Sequence, residues 1–187
     1  TTNVLGLTHD GKTLYLADSR TRNTSAVYAI DSATGERKLL AEDARADIGG
    51  GLSDPRTGEL QAVSVDYLRE EWKPLGDALT ADLKTLEGIG PGETRVNTRT
   101  LDDKTWIVAY SAAESPVVYY RYDRNPGAEG KLTRLFSARP ALDGKPLVPM
   151  WPQELTSRDG LTLPSYLTLP ATADADGDGK ADHPVPM

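Results

Sequence analysis

The densest run of chemistry-bearing residues in this 187-residue chain is Asp174-Ala175-Asp176-Gly177-Asp178-Gly179-Lys180-Ala181-Asp182. Alternate carboxylates with a glycine at the sixth position form the front half of a calcium-binding loop, because a hard cation needs clustered oxygens and a sharp turn to wrap them. The twelfth position, where a bidentate Glu would close the shell, is Val185, so a complete EF-hand loop is not made. Asp174, Asp176, Asp178 and Asp182 are the candidate metal ligands and calcium the candidate ion. The missing twelfth ligand favours the competing reading, a solvated acidic loop whose Asp-Gly pairs make turns. No cofactor is required by either reading.

Arg69-Glu70-Glu71-Trp72 sets two carboxylates beside an aromatic ring, a combination suited to a cationic group, although its surroundings favour a solvated strand end or helix lead-in. The chain has no cysteine, which excludes thiolate nucleophiles, disulfides and thiolate zinc sites within it and leaves the redox compartment open, cytoplasmic and periplasmic alike. Its only histidines are His9 and His183. A nucleophile elbow would need Gly-x-Ser-x-Gly followed by an acid and then a histidine, and no such pentapeptide is present. Gly49-Gly50-Gly51-Leu52-Ser53 reads instead as a bulged strand start. No catalytic residue is therefore assigned. The 21 basic and 28 acidic side chains give a net charge of -7, which argues against nucleic acid and anionic membrane surfaces as partners. No stretch reaches the roughly 20 apolar residues that a membrane helix needs, and residues 1–11 lack a basic-then-apolar signal segment.

The elements that position these residues read as mainly all-β. Asp10-Gly11, Ser32-Ala33-Thr34-Gly35 and Asp54-Pro55-Arg56-Thr57-Gly58 are turn signals between short apolar runs. Four strands fit within about forty residues, the size of one propeller blade. The register recurs after residue 93, where Trp106 and the aromatic run of Tyr119, Tyr120 and Tyr122 are expected to pack between blades, and each outer hairpin's first strand ends in an aspartate, Asp31 or Asp123. Leu79, Leu83 and Leu86 fall at helical spacing with Asp77 as the expected cap, giving one short inserted helix, read as a structural insertion in preference to a lid. Prolines 140, 146, 149 and 152 then mark an extended linker, followed by a hairpin around Arg158-Asp159-Gly160.

Ser157-Arg158-Asp159-Gly160-Leu161-Thr162-Leu163-Pro164-Ser165-Tyr166-Leu167-Thr168-Leu169-Pro170 resembles the opening hairpin of the hydrolase domain in the prolyl oligopeptidase and acylaminoacyl peptidase family of serine hydrolases. Pro184-Val185-Pro186-Met187 resembles the lead into that domain's first buried strand, and Thr100-Leu101-Asp102-Asp103-Lys104-Thr105-Trp106 resembles a blade of such enzymes. The resemblance implies late β-propeller blades of about four antiparallel strands and then the start of an α/β-hydrolase domain. On that reading residues 1–139 are a partial propeller (blades near 1–45, 46–92 and 93–139), 140–152 the linker, and 153–187 the first hairpin and loop of the hydrolase domain, ending before the catalytic residues. The implied parent is a serine peptidase whose propeller restricts access for peptides or acyl-peptides. Dipeptidyl peptidases of this superfamily hold a substrate's amino terminus with paired propeller glutamates, but the residues around Glu70 and Glu71 do not match that motif. The alternative function is a free-standing propeller-like binding module with a calcium-binding acidic loop. A partial propeller leaves apolar faces and strand edges bare, so the isolated piece is expected to self-associate or to require the rest of the propeller and the hydrolase domain.

Overall fold

The computed structural model describes residues 2–185, so the run Pro184-Val185-Pro186-Met187 ends outside the described residues. Strands β1 (Thr2–Leu7), β2 (Thr13–Asp18), β3 (Ala26–Asp31) and β4 (Arg37–Ala41) form an antiparallel meander. A second sheet holds β5 (Ile48–Ser53), β6 (Leu60–Asp66) and β7 (Glu70–Pro74), followed by a 3-10 turn (Asp77–Leu79) that runs into α1 (Thr80–Glu87). A third sheet repeats the four-strand meander with β8 (Glu93–Arg99), β9 (Thr105–Ala112), β10 (Ser115–Asp123) and β11 (Lys131–Ser137). A separate hairpin of β12 (Trp151–Thr156) and β13 (Thr162–Leu167) closes the order.

Local side-chain chemistry fixes the turns. Between β1 and β2, Thr8 Oγ1 donates to Asp10 at 2.8 Å while Lys12 N donates to the same carboxylate and Thr13 N to Thr8 Oγ1. Thr100, Asp102, Lys104 and Thr105 repeat the arrangement between β8 and β9, and Ser157 and Asp159 repeat it between β12 and β13. These turns need a left-handed residue at the fourth position: Gly11 (φ 73°), Gly160 (φ 85°) and, exceptionally, Asp103 (φ 58°) fill it. Asp31 and Asp54 build a second repeated turn, each accepting backbone N–H bonds from the two residues before its glycine.

The middle sheet packs on both faces, which is why five of the seven residues of β6 are buried. Val63 and Val65 meet Tyr15, Ala17 and Val27 of the first sheet. Ala62 and Leu52 meet Leu79, Leu83, Leu86, Trp106, Val108 and Tyr122 around the third sheet. The middle sheet has three strands where four are the rule in its neighbours, and the 3-10 turn and α1 supply apolar packing there, with Leu79 of the turn and Leu83 and Leu86 of the helix buried as their spacing predicts. Asp77 makes no side-chain cap, contrary to expectation, because Gly76 takes the cap position of the 3-10 turn and leaves Asp77 as its first residue. Tyr119 and Tyr120 also depart from expectation: only Trp106 and Tyr122 are fully buried, whereas Tyr119 is half-buried and stacks on the exposed Phe136 at 4.9 Å. A register shift between Tyr119 and Tyr120 against β11 accompanies the change.

Candidate functional site

The acidic loop folds against Trp151 at the start of β12. Gly179 lies so close to this indole that an added Cβ would stand 2.8 Å from the ring, and Gly177 and Gly179 both have positive φ (70° and 78°). That geometry brings one carboxylate oxygen each from Asp174, Asp176 and Asp178 within 4.8 Å of one another. Asp182 stands apart from the group, its carboxylate accepting Ala175 N at 3.1 Å. Asp174 is buried and accepts bonds from Trp151 Nε1, Asp178 N and Gly179 N, while Lys180 Nζ reaches Asp178 at 3.1 Å. The backbone amide and ammonium of Lys180 hold the Asp178 carboxyl below the usual carboxylate range. Three oxygens converge as a hard cation would require, yet each carboxylate already serves the loop's own N–H groups.

The other candidates fall in different places. Glu70 and Glu71 are consecutive residues of β7 and therefore point to opposite faces of the strand, so they do not form one carboxylate pair. Glu70 is mostly covered and faces Arg95 at 3.7 Å; Glu71 is exposed. His9 is exposed, its Nδ1 2.7 Å from the Arg56 carbonyl, and His183 is exposed in the acidic loop region. Gly49-Gly50-Gly51 lies inside β5 between two register shifts, which makes the run a strand and not an elbow.

Sequence reasoning missed the most developed polar cluster. Asp103 is the acceptor for Arg99 Nε (2.6 Å) and Nη2 (2.5 Å), for Trp106 Nε1 (2.7 Å) and for Arg124 Nη1. Arg124 Nε also donates to Asp82 of α1 at 2.7 Å, and Tyr122 Oη donates to the second oxygen of Asp82 at 2.9 Å. Burial, then the neighbouring Asp82 carboxylate, pushes the Tyr122 phenol up to about 12, so it remains a donor. Arg99 extends to Ser53 O and Gln61 Oε1 of the middle sheet. All four ionic side chains are at most 8% exposed. The cluster ties the second and third sheets to α1, and no buried side-chain polar atom among the described residues lacks a partner. The one available signal was Asp103 itself, an aspartate where the matching turns carry Gly11 and Gly160.

Where the β12–β13 hairpin meets the sheets, a cleft of about 280 Å³ opens, lined by Leu68, Arg69, Glu93, Glu114, Met150 and Tyr166 among others. Its charges are of both signs.

No family profile matches the chain. Dipeptidyl aminopeptidase BIII of Pseudoxanthomonas mexicana is 68% identical over 187 residues, which is 100% of this chain and 27% of that protein. A chain from a structural and mechanistic study of two prolyl endopeptidases shares its fold with a TM-score of 0.50 at 14% identity, over 83% of this chain and 22% of the other. The chain belongs to the prolyl oligopeptidase family. Dipeptidyl peptidase family member 6 of Caenorhabditis elegans is a more distant relative, 31% identical over 140 residues, which is 74% of this chain and 18% of that protein. The chain thus spans about a quarter of the length of the first of these curated relatives. Among the described residues, its antiparallel sheets and one short helix match a propeller-like, all-β part of that prolyl endopeptidase fold.

Proposed function

We propose that this chain is the substrate-gating portion of a serine-type peptidase, with the nucleophile and its acid and base supplied by the parent protein outside these residues. The observation that carries the reading is 68% identity to a dipeptidyl aminopeptidase across every residue of the chain. In this reading residues 1–139 are propeller blades that restrict access for peptide substrates, 140–152 the interdomain linker and 153–187 the opening of an α/β-hydrolase domain. The rest of the propeller and the hydrolase domain are then the chain's constitutive partners, and residues 1–187 in isolation would self-associate through bare apolar side chains such as Val4 on the first sheet and Phe136 on the third. Turnover of a chromogenic dipeptide substrate by the full-length protein, set beside its N-acylated counterpart, tests this. Release of the dipeptide from the free-amino substrate supports a dipeptidyl peptidase; cleavage of the acylated one alone moves the protein to the acyl-peptidase class. Failure to cleave either refutes the proposal.

A second reading, calcium binding in the acidic loop, is favoured by one observation, the convergence of Asp174, Asp176 and Asp178. Asp182 lies outside this convergence, one of its carboxylate oxygens accepting Ala175 N.

A further inference from the structure

Among the described residues, no backbone ladder joins the β12–β13 hairpin to the three larger sheets. Its side-chain contacts to them leave from one face. Pro152 stands opposite Tyr166 and Glu154 opposite Pro164, so the alternation of strands puts Pro152, Glu154 and Tyr166 on the same side. Trp151, on the other side, is occupied by the acidic loop.

The contacts made by that face converge on the turn at residues 67–69 between β6 and β7. Tyr166 Oη donates to Leu68 O at 2.9 Å. Arg45 pairs with Glu154 at 3.7 Å while its guanidinium lies 4.4 Å from the centroid of the Tyr67 ring, and burial, then the neighbouring Glu154 carboxylate, pushes the Tyr67 phenol up. The ionic partners are open to solvent, with side-chain exposures of 64% for Arg45 and 47% for Glu154, so salt screens them effectively. Beside them lies the 280 Å³ cleft, whose walls come from both the hairpin and the sheets. The approach to the hairpin has a single 3-10 turn (Pro140–Leu142) and no strand pairing. The hairpin is therefore hung on one turn by reversible polar contacts, with open space beneath it.

We propose that the turn at residues 67–69 is a pivot for the β12–β13 hairpin, and that Arg45, Tyr67 and Glu154 form a salt-sensitive latch setting its angle to the β5–β7 sheet. The proposal stands on these contacts whether or not the peptidase reading holds. Because exposed ion pairs of this kind shift equilibria modestly, loss of the latch redistributes hairpin orientations by about two- to fivefold.

Residues 1–187 contain no cysteine, so spin labels placed at Ala33→Cys and Arg158→Cys report the distance from the first sheet to the hairpin tip, measured in the full-length protein with any other thiol removed. The expected result is a broadened or two-population distribution on raising salt from 0.05 to about 0.5 M, the same change at low salt for Glu154→Gln and for Tyr67→Leu, which removes the ring beneath Arg45, and recovery in the charge-exchanged pair R45E/E154R. A single unchanged distribution across salt and variants would overturn the proposal. The salt series on the unmodified latch needs no substitution in it, so a variant that fails to fold leaves the test intact.

Discussion

Replacing Asp103 by Asn should loosen the third sheet more than any other single-atom change at a turn of this chain. The substitution keeps size and tolerance of the left-handed conformation but removes the charge that Arg99 and Arg124 share. Both arginines keep other acceptors: Arg99 has Ser53 O and Gln61, and Arg124 has Asp82 and Ala78 O. Removing one member of a buried ionic cluster costs about 3–5 kcal/mol, and these remaining acceptors place the cost near the lower figure. About 3 kcal/mol corresponds to a roughly 100-fold larger opening constant, at 1.36 kcal/mol per tenfold. Native-state hydrogen exchange of the β9 and β10 amides in the full-length protein reads this directly, without requiring the whole molecule to unfold in one step. A matched control is Gly11→Asp, which places aspartate in the equivalent turn without arginines; it should cost about 1 kcal/mol of left-handed strain and affect only the first sheet. An Asp103→Asn effect below about fivefold, or one no larger than that of Gly11→Asp, would refute the claim that the charge cluster holds the sheets together.

Three further outcomes follow from the same coordinates. The Lys73 ammonium lowers the Asp43 carboxyl from 3.8 to about 2; because the folded value is depressed, this contribution is complete above about pH 4 and is lost as pH falls towards 2, so an NMR titration with an Asp43 midpoint near 3.8 would contradict it. Gly92→Ala would put a Cβ 2.2 Å from Ser111 O and 2.9 Å from Ala112 Cβ, costing about 1–3 kcal/mol in exchange at β8–β9, whereas Gly76→Ala meets nothing within 4 Å and should be neutral. If calcium binds the acidic loop, calorimetry on the full-length protein should show a heat lost in Asp176→Asn/Asp178→Asn, and equal heats in both proteins would leave the loop as a self-bonded turn.

Much of the fold was legible because its turns are built from neighbours in sequence. Asp10-Gly11, the two Asp-x-x-Thr-Gly turns and Asp159-Gly160 each satisfy their own backbone, and the strands they join follow from the apolar runs between them. The helix was legible from three leucines; its cap was not, since the 3-10 turn preceding it has its cap position at Gly76, one residue before the aspartate. Illegible features depend on partners far along the chain. Asp103 read as an ordinary polar turn residue because Arg124 and Asp82, which complete its cluster, lie 21 residues away and, from Arg124, 42 residues away. The same limit applied to Tyr119 and Tyr120, which are half-buried beside a register shift against β11 that the local sequence does not announce. In the acidic loop the alternation of aspartates correctly grouped three carboxylates, while the position of Asp182 depended on how the loop closes over Trp151.

Whether this chain is part of a serine-type peptidase with its catalytic residues elsewhere in the protein is decided by a fluorophosphonate probe combined with intact-mass measurement on the full-length protein and on residues 1–187 alone. One covalent adduct is expected on the full-length protein, mapping outside these residues, and none on the 187-residue chain. No adduct on an otherwise folded full-length protein, or an adduct within residues 1–187, would contradict that reading.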